Sequence, residues 1–204
     1  EILRCLVGSE MCIRDSLGFA PDSSFPLTYA EKGLLQVKLH GPGWDDLPLQ
    51  AGQALNVVPD KAIYAGHRLE ELLPVLDQSG VQYSQTEDFV TVLGVSKHSK
   101  DAAEGVNAIV GLAESLSLIQ PHPALLFIAD AVGEDATGEA LFGRITDEPS
   151  GDLSFNLATL VIDQEQSEIG IDIRIPVLAD KEDLVARLQE IAASYQLELS
   201  LIHI

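Results

Sequence analysis

Residues 33–40, GLLQVKLH, place Leu35, Val37 and Leu39 at every second position, with Gln36, Lys38 and His40 between them. Successive side chains of an extended chain point to opposite faces, so this stretch reads as a strand with one buried and one wet side. Further strand-like runs are ALNVVPDKAIYA (54–65), VQYSQ (81–85), FVTVLGV (89–95), LSFNLATLVID (153–163) and EIGIDIRIPV (168–177). Pro59 marks an edge or bulge in the first of these, because proline has no N–H to give a ladder. FVTVLGV is apolar on both faces, as a covered central strand would be. GPGWDDLP (41–48) is a turn-rich connection, and LELSL at the end turns extended again.

Between the strands the apolar period changes to that of a helix. Leu69, Leu72, Leu73 and Leu76 form one such stripe. After His98, Asp101 and Glu104 have the spacing of a capping box, followed by a stripe of Val106, Ile109, Val110, Ala113 and Leu116. Another helical stretch covers about 122–132, and a last one runs over 180–194, with Asp180 as cap and Leu184, Leu188, Ile191 and Tyr195 inside. Strand pairs alternating with helices argue an α+β fold, with antiparallel sheets and helices on one face. The order reads as one α/β motif used twice, over 32–119 and 120–198, the second copy incomplete.

The two ends look foreign to this pattern. Residues 1–16 (EILRCLVGSEMCIRDS) and 199–204 (LSLIHI) resemble translated adapter sequence, and Cys5, Met11 and Cys12 all lie in the first of them. Residues 17–198 contain neither Met nor Cys, so no disulfide framework is expected there. The 32 acidic against 12 basic residues give a net charge of −20, which repels phosphate backbones and anionic membrane surfaces. The apolar run ALLFIADAV (124–132) is too short to span a bilayer and carries Asp130.

No self-sufficient catalytic constellation stands in the sequence. The five histidines (40, 67, 98, 122 and 203) form no H-x-H or H-x-x-x-H pair, and neither a phosphate-binding G-x-x-x-x-G-K-[ST] loop nor a G-x-S-x-G elbow occurs. By itself His98 reads as a solvated loop histidine, Arg174 as half of a surface ion pair with Asp172, and Asn56 and Asp22 as turn residues.

Five stretches in order change that reading. GFAPDSSFPLTYAEKGLL, QALNVVPDKA, GVSKHSKDAAEGVNAI, ITDEPSGDLSFNLATLVID and GIDIRIPV together resemble peptidase V-type dipeptidases, of the zinc aminopeptidase/carboxypeptidase/deacylase clan. The resemblance runs from residue 17 to 198. It implies that 17–31 end a catalytic domain and that 32–198 form a lid over it. It implies a cytoplasmic bacterial enzyme, monomeric, with two zinc ions held mostly by residues absent from this chain and a dipeptide as substrate. His98 then matches a lid histidine that donates to the carbonyl oxygen of the transition state. Arg174 matches an arginine that clamps the substrate carboxylate, Asn56 an asparagine that hydrogen-bonds substrate, and Asp22 a zinc ligand. The chain alone would be inactive. Lys97-His98-Ser99 departs from the family's usual A-H-G, Ala102 or Ala103 stands where Pro is favoured, and Ala158 stands where Gly is usual. A related aminoacylase, deacylase or carboxypeptidase, or a non-catalytic dimerisation or amino-acid-binding module, are the alternatives.

Overall fold

The computed structural model describes residues 29–202. Its larger sheet has five strands, all antiparallel to their neighbours: β1 (Gly33–Pro42), β2 (Leu49–Ala51), β8 (Ser154–Ile162), β9 (Gln166–Ile175) and β10 (Glu198–Leu201), in the order β10-β1-β9-β8-β2. The period-two pattern sets its faces. Leu35, Val37 and Leu39 pair with Ile173, Ile171 and Ile169, and all six are buried. On the opposite face Gln36 pairs with Asp172 and His40 with Glu168, while Asn156 and Ser154 of β8 lie opposite Asp172 and Arg174. The central strands therefore carry an apolar face and a polar face along their length.

The second sheet is β3 (Lys61–Tyr64), β4 (Tyr83–Gln85) and β5 (Val90–Leu93), ordered β3-β5-β4. β5 is central, as expected, with Val90, Thr91 and Val92 buried, but Phe89, Leu93 and Val95 are exposed, so one of its two apolar faces is not covered along its length. A hairpin of β6 (Thr146–Asp147) and β7 (Gly151–Asp152) precedes β8. Helices α1 (Leu69–Ser79), α2 (Ala108–Ser117), α3 (Pro123–Leu126, continued by a wider π turn over Phe127–Val132), α4 (Glu139–Phe142) and α5 (Lys181–Ser194) complete the element order. Leu72, Leu112, Leu116, Leu125, Phe127, Leu184 and Leu188 join the sheets' apolar faces in one continuous core. The fold is mixed α+β with antiparallel sheets, as the alternation of periods predicts. Asp180 caps α5 by accepting from the N–H groups of Glu182 and Asp183.

Several local expectations are corrected. The strand expected over 54–65 is only Lys61–Tyr64, because residues 54–58 spend their polar groups elsewhere: Val58 N–H donates to Lys97 (2.8 Å) and the Asn56 carbonyl accepts from Ser99 (2.9 Å). β2 lies just beyond the stretch read as a turn-rich connection; at three residues it is too short to show a period. The expected capping box is not a helix start. Residues Ser99–Glu104 form a 3₁₀ turn, and Val95 and Val106 then exchange backbone hydrogen bonds (2.9 and 3.1 Å) that draw the chain out extended. α2 begins only at Ala108, capped by Asn107 Oδ1, which accepts from Ile109 (3.0 Å) and Val110 (3.3 Å). Val106, expected inside, is 52% exposed for the same reason. The larger sheet also draws β1 and β2 from before residue 119 and β8 to β10 from after it, and Leu199–Leu201 are part of its edge.

Candidate functional site

The polar face of the larger sheet is not left to solvent where Asp172, Arg174, Ser154 and Asn156 sit. Two loops cover it: residues 54–58, ahead of β3, and residues 96–104, after β5. Asn156, 1% exposed, donates from Nδ2 to the carbonyls of Leu55 (2.9 Å) and Val57 (3.0 Å), which seats the first loop. Leu55 packs over Gly170, where a Cβ would crowd Thr159 Oγ1 first and then Leu55 Cδ2 (2.7 Å). Val57 and His98 form an isolated antiparallel bridge that joins the two loops.

Arg174 is the centre of the second docking. Its Nε donates to Asp172 Oδ1 (2.8 Å), and Nη2 reaches Asp172 Oδ2 (3.4 Å) and Ser99 Oγ (3.2 Å). The Arg174 side chain is 21% exposed, and that of Asp172 is 0% exposed. Asp172 Oδ2 also accepts from Gln36 Nε2 (2.8 Å). This is a buried carboxylate with an arginine laid over it, not the surface ion pair that the sequence alone suggests. A charge removed from water in this way is tolerated only when its lone pairs are filled, as they are here by Arg174 and Gln36. Arg174 Nη1 has no partner among the described residues.

His98 is exposed at the start of the 3₁₀ turn, in an extended conformation (φ −68°, ψ 145°). Its Nδ1 accepts from the Lys100 N–H (3.2 Å). With that lone pair engaged, the neutral ring carries its proton on Nε2, which is left as a donor on the exposed side. Lys97, next to it, pairs with Glu104 (3.0 Å). Ser99 follows at 0% exposure: its N–H donates to the Asn56 carbonyl, its Oγ accepts from Arg174, and its carbonyl accepts from Ser154 Oγ. Asn56 is exposed in the turn, and its side chain makes no hydrogen bond among the described residues.

The structure therefore brings three of the sequence's candidates, Asn56, His98 and Arg174, into one neighbourhood, joined through Ser99. Asp22 lies outside the described residues. The roles of Ser99, Ser154 and Asn156, which hold the arrangement, escaped the sequence reading, as did the burial of Asp172, whose pairing with Arg174 it had suggested. A signal was present: Ser154 and Asn156, and Asp172 and Arg174, alternate with apolar residues over 154–157 and 171–175. Behind the 3₁₀ turn lies a cavity of about 280 Å³, between Val58, Asn107, the 132–136 loop and Phe155–Leu157; neither His98 nor Arg174 lines it.

Among the described residues no group of three or more His, Cys, Asp or Glu side chains could hold a metal ion, so these residues do not fit a two-zinc centre of their own. Nor is any helix of the described residues long and apolar enough to cross a membrane. Away from the site, His122 and Glu114 are among the ionisable groups that the fold perturbs. Burial holds His122 below the ordinary histidine range, partly opposed by its bond to the Pro42 carbonyl (3.0 Å). Burial raises Glu114, and the nearby Glu134 adds to the effect.

No family model matches the chain. It is 32% identical over 190 residues to "Putative dipeptidase YtjP" of Bacillus subtilis, covering 82% of this chain and 41% of that protein. Two staphylococcal proteins are also similar: "Putative dipeptidase SH1171" of Staphylococcus haemolyticus (25% identical) and "Putative dipeptidase MW1694" of Staphylococcus aureus (28% identical), each over 211 residues, covering 91% of this chain and 45% of the relative. A crystal structure of aminoacylhistidine dipeptidase from Vibrio alginolyticus superposes with a TM-score of 0.39 at 10% identity, over 83% of this chain and 43% of that one, an overlap too loose to bear on function. The chain is thus similar to bacterial proteins named as dipeptidases and spans less than half the length of each of these relatives.

Proposed function

We propose that this chain is the substrate-covering lid of a zinc-dependent dipeptidase, of the peptidase V type, and that His98 and Arg174 meet the two ends of the chemistry. The observation that carries the reading is the buried Asp172–Arg174–Ser99 connection, which fastens the loop bearing His98 beside a guanidinium. Similarity to proteins named as dipeptidases supports the substrate class.

With Nδ1 engaged by the Lys100 N–H, His98 has Nε2–H left as a donor. Such a donor fits the carbonyl oxygen of a peptide bond, which gains negative charge as the bond is attacked. A fixed donor at that point is worth about 3–4 kcal/mol of barrier. Arg174 supplies fixed positive charge for the free carboxylate of a dipeptide. Asp172 and Ser99 occupy Nε and Nη2, so the Nη1 N–H groups remain for the ligand. A longer peptide has no carboxylate at that distance from the scissile bond, which favours dipeptides. Asn56 would hydrogen-bond the bound substrate from the neighbouring turn. The zinc ions would supply the activated water, held by residues beyond the described ones, with Asp22 as one ligand.

The test has two parts. The chain alone hydrolyses no dipeptide with added Zn²⁺; metal-dependent turnover by it would overturn the reading. In the intact enzyme His98→Ala lowers kcat by at least about 100-fold with little change in KM, and Arg174→Lys mainly raises KM; wild-type kinetics in both variants would refute the assignment.

A further inference from the structure

We propose that Ser99 is a positioning residue that sets the plane of the Arg174 guanidinium and ties it to His98, a reading that rests on those two side chains acting on substrate as described above. Ser99 is fully buried, and its three polar atoms go to three different segments. The N–H donates to Asn56 ahead of β3 (2.9 Å), the carbonyl accepts from Ser154 on β8, and Oγ accepts from Arg174 on β9 (3.2 Å).

Asp172 does not orient the guanidinium alone. Nε sits 2.8 Å from Oδ1, but Nη2 is 3.4 Å from Oδ2, so the fork is close on one side only. A single close point leaves the group free to pivot. Ser99 Oγ on Nη2 is the second point, and a contact on Nη2 restricts rotation of the guanidinium about Cδ–Nε and so holds its plane. Nη1 is then turned away from both acceptors. Ser99 is also peptide-bonded to His98, with their Cα atoms about 3.8 Å apart. One residue thus holds the imidazole's backbone and the guanidinium together, so a change at Arg174 reaches His98 through it.

The experiment uses the full 204-residue chain, labelled with ¹⁵N and ¹³C. Ser99→Ala removes Oγ and keeps both backbone bonds, so the fold is retained. Exchange of the Arg174 Nε–H with water rises about tenfold, as for loss of one hydrogen bond to a charged group, and the His98 Cε1–H signal moves while that of His122 does not. Arg174→Lys, which leaves Ser99 in place, moves the His98 signal as well. If Ser99→Ala changes neither the Arg174 exchange nor the His98 signal, or if Arg174→Lys leaves His98 unmoved, the inference is wrong. Titration with glycylglycine separates the two layers. Binding at Arg174 that Ser99→Ala weakens supports both. No binding by the wild type, with the exchange effect intact, supports the positioning role and counts against the carboxylate clamp. Binding that Ser99→Ala leaves unchanged overturns the positioning role.

Discussion

Replacing Arg174 by Met keeps much of the side chain's length and removes only its charge and donors. Asp172, at 0% exposure, would lose its two bonds from Arg174 and keep one from Gln36 Nε2. Breaking a buried pair by deleting one partner costs about 3–5 kcal/mol, because the other charge stays behind without compensation. Arg174 is 21% exposed, so water can reach part of the vacated space, and the lower end, about 3 kcal/mol, is the expectation. At 2–4 °C per kcal/mol for a domain of this size, the melting temperature falls by roughly 6–12 °C. Urea unfolding followed by circular dichroism measures it, and the slope with urea should not change. Adding Asp172→Asn to Arg174→Met removes the stranded charge and recovers part of the loss, a coupling that a double-mutant cycle reads directly. A cost below about 0.5 kcal/mol for Arg174→Met, as for an exposed ion pair, would refute the reasoning, and so would a double variant no more stable than the single one.

Two further perturbations test buried contacts elsewhere in the fold. His122 is fully buried, accepts from Ala124 N–H on Nδ1 (3.1 Å) and donates from Nε2 to Pro42, so it must stay neutral. Its folded pKa lies below the unfolded value of about 6.5, so its contribution is complete above that pH and is lost as the pH falls toward the folded value. Glu114, raised by burial, acts in the opposite direction, so the measurement is the difference in urea stability between wild type and His122→Asn from pH 7.5 down to 5. That difference shrinks on acidification; a pH-independent difference would contradict the buried neutral ring. Asn107→Ala loses the α2 cap and the Nδ2 bond to the Leu157 carbonyl (2.7 Å) together, with an expected cost of about 1–2 kcal/mol by thermal unfolding; a cost near zero would show that the cap is unimportant.

Local periodicity carried the architecture. Leu35, Val37 and Leu39 alternate because a strand's side chains alternate, and Leu184 and Leu188 recur because a helix turns every 3.6 residues; neither needs to know its tertiary neighbours. Asp180 likewise announced α5 from its own spacing. The candidates His98, Arg174 and Asn56 were singled out only through a resemblance spread over several motifs, since no single motif specifies a site. What no local pattern could supply was the partner of each polar group. Pro59 and the residues before it look like a strand, yet their backbone groups are taken by a loop some forty residues later. Asp101 and Glu104 look like a cap, yet the Val95–Val106 bridge pulls the chain straight and hands the capping to Asn107. Asp172 looks exposed because it alternates with isoleucines, yet its wet face is roofed by two loops. Hydrogen bonds and burial between residues distant in sequence depend on where the chain returns, and only the folded arrangement shows that Ser99 stands where Arg174, Asn56 and Ser154 converge.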